Sequence, residues 1–143
     1  MEIRIGKYVL TIDEERTKDY YRNKAKETDC ICEGCENYRA FGKLKSHPLA
    51  DFLKPFGLSI EDCVESSAIY AEDPDFVFYD VWYHCCGEIL SVEQEPVNIN
   101  GIDISFSDNC HLLEEDFPLP AIQINLWLKV PWLLACENTY LDK

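Results

Sequence analysis

The segment FVFYDVWYHCCGEIL at residues 76–90 constrains the fold more than any other part of this chain of 143 residues. It is a long apolar run rich in aromatic residues, and it is apolar on both of the faces that an extended chain would present. Such a run is typical of a strand with neighbours in a sheet and cover on both faces. We therefore predict that residues 76–90 form the central strand of a β-sheet.

Several other segments show the patterns of strands that would pair with it. In AIQINLWLKV, at 121–130, every second residue is apolar, which predicts a strand with one buried face. Asn100-Gly101 lies between two short alternating segments and predicts a tight hairpin. Residues 63–71 are a further candidate strand, and the N-terminal EIRIGKYVL is predicted to form the first one.

Two helices are predicted before the sheet. After the cysteine-rich segment, Tyr38, Phe41 and Leu44 recur at helical spacing, and SHPLADFLKPFG at 46–57 shows a second apolar stripe. Ser46 or His47 can cap that second helix. Pro48 suits its first turn, and Pro55 and Gly57 end it. Residues 13–28 are predicted to be a solvated loop or a short helix. The sequence thus predicts a single α+β domain over residues 1–143, a mostly antiparallel β-sheet with an early helical pair packed on it.

The charges are distributed unevenly along the chain. Residues 1–54 contain 11 basic and 10 acidic side chains, whereas residues 55–143 contain 2 basic and 17 acidic ones. An acidic surface repels phosphate groups, so we predict no binding to nucleic acid. It attracts a partner protein with a basic surface, such as the active-site surface of a nuclease, although an acidic surface also serves solubility alone.

The chemical role of the eight cysteines depends on whether the protein is secreted or stays in a reducing compartment. MEIRIGKYVL lacks the basic and apolar regions of a secretory signal, and no apolar run approaches the roughly 20 residues of a membrane span. We therefore predict a cytoplasmic protein that is not bound to membranes. In a reducing compartment cysteines are metal ligands, reactive thiols or small buried groups rather than disulfides. We expect Cys63, Cys110 and Cys136 to be buried thiols.

Cys30, Cys32 and Cys35 form a C-x-C-x-x-C segment. In an extended chain Cys30 and Cys32 point to the same side, and Gly34 allows the chain to turn before Cys35. Three sulfurs could then converge on one zinc ion, but a structural zinc site needs four ligands. We name His84 as the candidate fourth ligand, with Cys86, Cys110 and His111 as alternatives.

Two other interpretations of these residues stay open. A turn with partly buried cysteines needs no metal at all. Cys32 and Cys35 also form a CxxC pair at the start of a helix, where a thiolate is favoured, although Glu33 and Glu36 oppose its ionisation. For His84, the simpler expectation is a buried histidine that hydrogen-bonds to a backbone carbonyl, and general-base catalysis is the alternative.

Four short motifs are spread along the chain: a C-x-C-x-x-C-x-N-[FY] segment, a helical FL…GI stretch, a WYH…GE strand and a late FP.P..Q…LPW segment. The residues that match them are Cys30, Cys32, Cys35, Asn37, Tyr38, Phe52, Leu53, Gly57, Leu58, Trp82, Tyr83, His84, Gly87, Glu88, Phe117, Pro118, Pro120, Gln123, Pro131 and Trp132. In these motifs the chain resembles a family of small, uncharacterised cytosolic proteins of Gram-positive bacteria. The resemblance spans most of the chain and supports Cys85 and Cys86 as core residues, but it implies no activity.

The function predicted from the sequence is that of a non-catalytic binding protein with a basic protein partner, for which an immunity-like or antitoxin-like role is one concrete form. A structural metal at the three cysteines is compatible with that function. A thiol redox protein that uses Cys32 and Cys35, or a metal-dependent enzyme that uses His84, is the alternative.

Overall fold

The structure is a computed structural model that describes residues 1–24, 30–44 and 47–142. Residue 142 is described by its backbone alone. Within these residues, seven strands form a mostly antiparallel sheet and three short α-helices precede most of it. The predicted α+β class, with an early helical pair packed on the sheet, is therefore confirmed. The elements are β1 (Glu2–Ile5), β2 (Tyr8–Ile12), α1 (Glu14–Arg22), α2 (Glu33–Phe41), α3 (Pro48–Leu53), β3 (Glu65–Tyr70), β4 (Phe76–Ser91), β5 (Val97–Ile99), β6 (Ile102–Ser107) and β7 (Ala121–Pro131).

The 16-residue strand β4 organises the sheet, as predicted for the apolar run. The strand order is β1-β2-β4-β7-β6-β5, and β3 also pairs with β4. On one side β4 pairs with β7 without interruption, from Phe76 opposite Pro131 to Cys86 opposite Ala121. On the other side it pairs with β3 near its start and with β2 near its end.

Helix α1 fills the gap that β3 and β2 leave along the edge of β4. The Cys86 N–H donates a 2.9 Å hydrogen bond to Thr17 Oγ1, and the Tyr21 hydroxyl donates one of 3.3 Å to the His84 carbonyl. Buried backbone groups need such partners, and here helix side chains replace a neighbouring strand. The loop or short helix predicted over 13–28 is this helix up to residue 22; residues 25–28 lie outside the described part of the chain.

The core lies between the sheet and the helices α2 and α3. Odd-numbered residues of β4 face it, and both Tyr79 and Tyr83 are fully buried there. The Tyr83 hydroxyl donates to the Ile60 carbonyl at 2.8 Å, so the Tyr38 hydroxyl, 2.6 Å away, is the donor in the Tyr38–Tyr83 pair. Both tyrosines therefore satisfy their hydroxyl groups inside an apolar core.

The helix predicted over 46–57 is confirmed as α3 followed by a 3-10 turn at Lys54–Phe56. His47 caps it, since its Nδ1 accepts a hydrogen bond of 3.1 Å from the Leu49 N–H. Gly57 ends it with a φ of +80°. Ser46, the other cap candidate, lies outside the described residues.

Two hairpin turns use backbone conformations with positive φ. Asn100 and Gly101 have φ values of 53° and 82° and join β5 to β6, which confirms the predicted hairpin. The prediction of one N-terminal strand in EIRIGKYVL is wrong, because the chain turns at Gly6, with a φ of 57°, and pairs β1 with β2. Unbroken alternation over nine residues concealed a turn that a single glycine provides.

Candidate metal centre

Three sulfur atoms converge where the chain enters α2. Cys32 is extended and precedes the helix, and its Sγ accepts a 3.5 Å hydrogen bond from the Cys35 N–H. The Cys30 Sγ lies 3.1 Å from the Cys32 Sγ, and the three sulfurs are all within 4.8 Å of one another. The convergence predicted from the C-x-C-x-x-C spacing is found, and this separation suits binding of one soft metal ion.

Contacts with distant parts of the chain hold this segment in place. The Tyr79 hydroxyl donates to the Gly34 carbonyl at 2.6 Å, and the Arg39 guanidinium donates to the Cys30 carbonyl at 2.7 Å. A Cβ atom on Gly34 would lie 2.9 Å from the Tyr140 hydroxyl and 3.0 Å from the Ala68 Cβ. The cysteine segment therefore packs closely against β3, β4 and a C-terminal 3-10 turn at Thr139–Asp142.

The three thiols differ in exposure and in acidity. Cys30 and Cys32 are exposed, whereas Cys35 is half-buried. Hydrogen bonding to Cys32 lowers the pKa of Cys30, and burial together with both neighbouring thiols raises the pKa of Cys35 to about 12. Without a metal, Cys35 is thus a thiol at neutral pH. Cys35 itself is therefore a poor nucleophile, since the thiolate is the nucleophile in thiol exchange.

The structure does not bring His84 to the three sulfurs. Strand side chains alternate between faces, so His84 points away from the face on which Tyr83 and Tyr79 meet α2. It is buried, and its Nε2 lies 3.0 Å from Gln123 Oε1. That oxygen also accepts from the His111 N–H at 2.7 Å, so the His84 Nε2 carries the proton and presents no lone pair to a metal.

In this structure His84 therefore lies apart from the three sulfurs, and its assignment as their fourth ligand stays a prediction. The structure agrees with the simpler expectation of a buried, hydrogen-bonded histidine: the imidazole bonds to the Gln123 side chain and also to a backbone group of His111. The reason is geometric: the sheet separates the histidine from the cysteines.

The alternative fourth ligands do not join the group either. Cys86 is buried on the face of β4 that His84 shares, with its Sγ 3.8 Å from the Pro118 carbonyl. The His111 ring packs 5.6 Å from the Trp82 ring, and Cys110 is its neighbour in the chain. Within residues 1–24, 30–44 and 47–142, no histidine, cysteine, aspartate or glutamate adds a ligand atom to the three sulfurs.

The other cysteines are distributed through the fold. Cys85 and Cys86 are core residues, as predicted. Cys63 and Cys110 are half-buried rather than fully enclosed, and Cys136 is exposed, so the prediction of a buried thiol is wrong for Cys136. Cys136 lies in a surface segment after β7. That segment has no helical or strand periodicity from which burial could be predicted.

A row of aromatic side chains on the opposite face of the sheet was not predicted as functional. The rings of Tyr70 and Phe78 stack at 4.9 Å, and those of Phe78 and Trp127 stack at 5.6 Å. The even-numbered positions of FVFYDVWYH contained a signal for this row, because they place Phe76, Phe78 and Trp82 on one face. The sequence alone did not reveal that this face is left half-exposed.

None of the described helices is both long and apolar enough to cross a membrane. Comparisons of the whole chain with protein-family models, curated proteins and solved structures found no significant match.

Proposed function

We propose that this chain is a non-catalytic, cytoplasmic binding protein in which Cys30, Cys32 and Cys35 hold a structural zinc ion and the acidic C-terminal part binds a basic partner protein. The observation that carries the proposal is the convergence of three sulfurs within 4.8 Å at the start of α2. An immunity-like or antitoxin-like role, in which the partner is a nuclease or a similar basic toxin, is the concrete form that we favour.

The chemistry of the three sulfurs supports zinc. Thiolates are soft ligands, and zinc accepts tetrahedral sulfur coordination with no redox chemistry of its own. Three thiolates leave one coordination position, which water, a residue outside the described part of the chain or a group from the partner would fill. The ion would fix the start of α2 against Tyr79 and the C-terminal turn.

The charge distribution supports the basic partner. The net negative charge lies entirely in residues 55–143, which include β3 to β7. Complementary charge accelerates association and disfavours wrong partners, and this contribution is screened by salt. Binding to the partner should therefore weaken as ionic strength rises.

Metal content and thiol reactivity test the zinc site directly. The protein is purified without added metal, its zinc content is measured by elemental analysis, and its reactive thiols are counted before and after a chelator is added. We expect near-stoichiometric zinc and an increase in reactive thiols once the metal is removed. Cys30→Ser, Cys32→Ser and Cys35→Ser should each lower the zinc content.

Cys136→Ser is the matched control, because Cys136 is an exposed cysteine outside the cluster. It should leave the zinc content unchanged. A protein that contains no metal, and whose count of reactive thiols does not rise when the chelator is added, would contradict the zinc site. A Cys32–Cys35 disulfide that forms reversibly in the metal-free protein would favour the redox alternative instead.

A further inference from the structure

The sheet face that points away from α2 carries a defined group of residues, which we call the aromatic face: Tyr70 on β3, Phe78 and Asp80 on β4, Trp127 on β7 and Asp103 on β6. All five side chains are half-exposed. The Tyr70 and Trp127 ring centroids are 6.2 Å apart, so the three rings form one continuous platform with Phe78 in contact with both. A contiguous, partly exposed apolar surface of this kind is a candidate interaction site.

Two carboxylates flank the tryptophan of this platform. Trp127 is directly opposite Asp80 on β4 and directly opposite Asp103 on β6. Side chains that are opposite each other in antiparallel strands lie on the same face, about 5 Å apart at their Cβ atoms. An indole ring therefore stands between two acidic groups in the middle of the sheet.

No described residue neutralises these two carboxylates. Neither Asp80 nor Asp103 forms an ion pair with any residue that the structure describes. Asp103 accepts a 2.9 Å hydrogen bond from the uncharged Asn98 side chain. Negative charge beside an aromatic surface is therefore open to a cation from outside.

The chain already places one cation against the neighbouring rings. Lys129 Nζ lies 4.9 Å from the Phe76 ring centroid and 5.9 Å from that of Phe78, and it is 3.7 Å from an Asp73 carboxylate oxygen. This arrangement combines a cation, an aromatic ring and a carboxylate. Trp127, with Asp80 and Asp103 beside it, offers the same combination without the cation.

We propose that the aromatic face is the docking surface for the basic partner and that it receives an arginine side chain stacked on Trp127 and paired with Asp80 or Asp103. A guanidinium group suits this site better than an ammonium group, because it is planar, stacks on aromatic rings and pairs with carboxylates through two parallel hydrogen bonds. The inference rests on the basic partner of the proposed function and adds where that partner binds and through which group.

The test uses three short peptides of one design, a glycine-rich sequence that contains arginine, lysine or citrulline. Citrulline retains the shape of arginine but carries no charge. Each peptide is titrated into the full-length labelled protein at low salt, and the indole N–H signals of Trp127 and Trp132 are followed by NMR. Trp132 is the internal control, because its indole N–H bonds to the Cys136 carbonyl and its ring packs against Tyr140.

We expect the arginine peptide to shift the Trp127 signal and the backbone signals of Asp80 and Asp103, the lysine peptide to bind more weakly, and citrulline to have no effect. The Asp80→Asn/Asp103→Asn double variant should weaken arginine binding by about fivefold or more, because it removes both charges but keeps the aromatic platform. The matched control is the Asp51→Asn/Glu95→Gln double variant. It also removes two negative charges, but from exposed positions outside the aromatic face. Thermal unfolding checks that both double variants are folded.

The outcomes separate this inference from the proposed function. If arginine peptides bind but the two double variants weaken binding equally, or if the shifts map to another surface, the aromatic face is not the docking site although a basic partner is still supported. If neither basic peptide binds, both the docking site and the basic partner are contradicted. Shifts of the Trp127 signal by a neutral oligosaccharide but by no basic peptide would also overturn the proposal.

Discussion

The hydroxyl of Tyr79, in the central strand, donates a 2.6 Å hydrogen bond to the carbonyl of Gly34, which lies between Cys32 and Cys35. Tyr79 is fully buried. The bond connects the position of the three sulfurs to the strand that organises the whole sheet. The cysteine cluster is thus attached to the core of the fold and is not an independent loop.

Tyr79→Phe is expected to lower the free energy of unfolding by about 1–3 kcal/mol, because it leaves a buried carbonyl without its donor. Urea denaturation of both proteins measures this difference. Tyr70→Phe is the matched control, since Tyr70 is half-exposed and its ring stacks on the aromatic face. Equal destabilisation by the two substitutions would show that the Gly34 bond contributes nothing specific.

Gly34→Ala tests the close packing of the cysteine segment. Alanine normally stabilises a helix relative to glycine. Here, however, the alanine Cβ would lie 3.0 Å or less from the Tyr140 hydroxyl and the Ala68 Cβ. We expect a net loss of about 1–3 kcal/mol in the free energy of unfolding, as for other overpacked sites. At Gly42 the nearest atom is the flexible Glu61 Cγ, so Gly42→Ala should cost less. Chemical denaturation of the two variants compares them, and a more stable Gly34→Ala protein would contradict the packing described here.

Zinc binding should weaken as the pH falls. Burial and the neighbouring thiols raise the pKa of Cys35 to about 12, so this thiol must lose a proton when a metal binds. Each proton released lowers the apparent affinity by about tenfold per pH unit below the pKa of its thiol. Competition titrations with a chromophoric chelator between about pH 6 and 8, below the ordinary thiol pKa of about 8.5, measure the slope. An affinity that is independent of pH would contradict thiolate coordination by Cys35.

His84 should make the protein less stable in mild acid. Burial lowers the pKa of His84, so the unfolded chain, with an ordinary pKa of about 6.5, binds this proton more readily than the folded chain does. The contribution to stability is therefore fully present above about pH 6.5 and is lost as the pH falls through the lower pKa of the folded protein.

Denaturation curves for the wild type and His84→Gln across that pH range test this expectation. The variant should lose less stability on acidification. Burial also lowers the pKa of His47, so part of the pH dependence should remain in the variant. His111→Gln is the control for loss of an imidazole at an exposed position. An unchanged pH dependence in His84→Gln would show that the buried imidazole is not responsible.

Local patterns in the sequence were sufficient for most elements of the sheet and for the sulfur cluster. The alternation in β7 specifies its buried face, because strand side chains repeat every two residues. Asn100 and Gly101 specify a hairpin because both adopt positive φ. Cys30, Cys32 and Cys35 are neighbours in the chain, so an extended segment followed by a helix start brings their sulfurs together. Contacts with the rest of the fold then fix where the cluster lies.

Only the tertiary structure decided which side of the sheet each group occupies. The alternation along β4 places His84 and Tyr83 on opposite faces, but it does not say which face the helices cover. That choice depends on how the chain connects α2 and α3 to β3 and β4, and it left His84 across the sheet from the cysteines. The same choice left Phe78 and Trp127 half-exposed, because the apolar surface of two short helices is sufficient to cover only one face of the sheet.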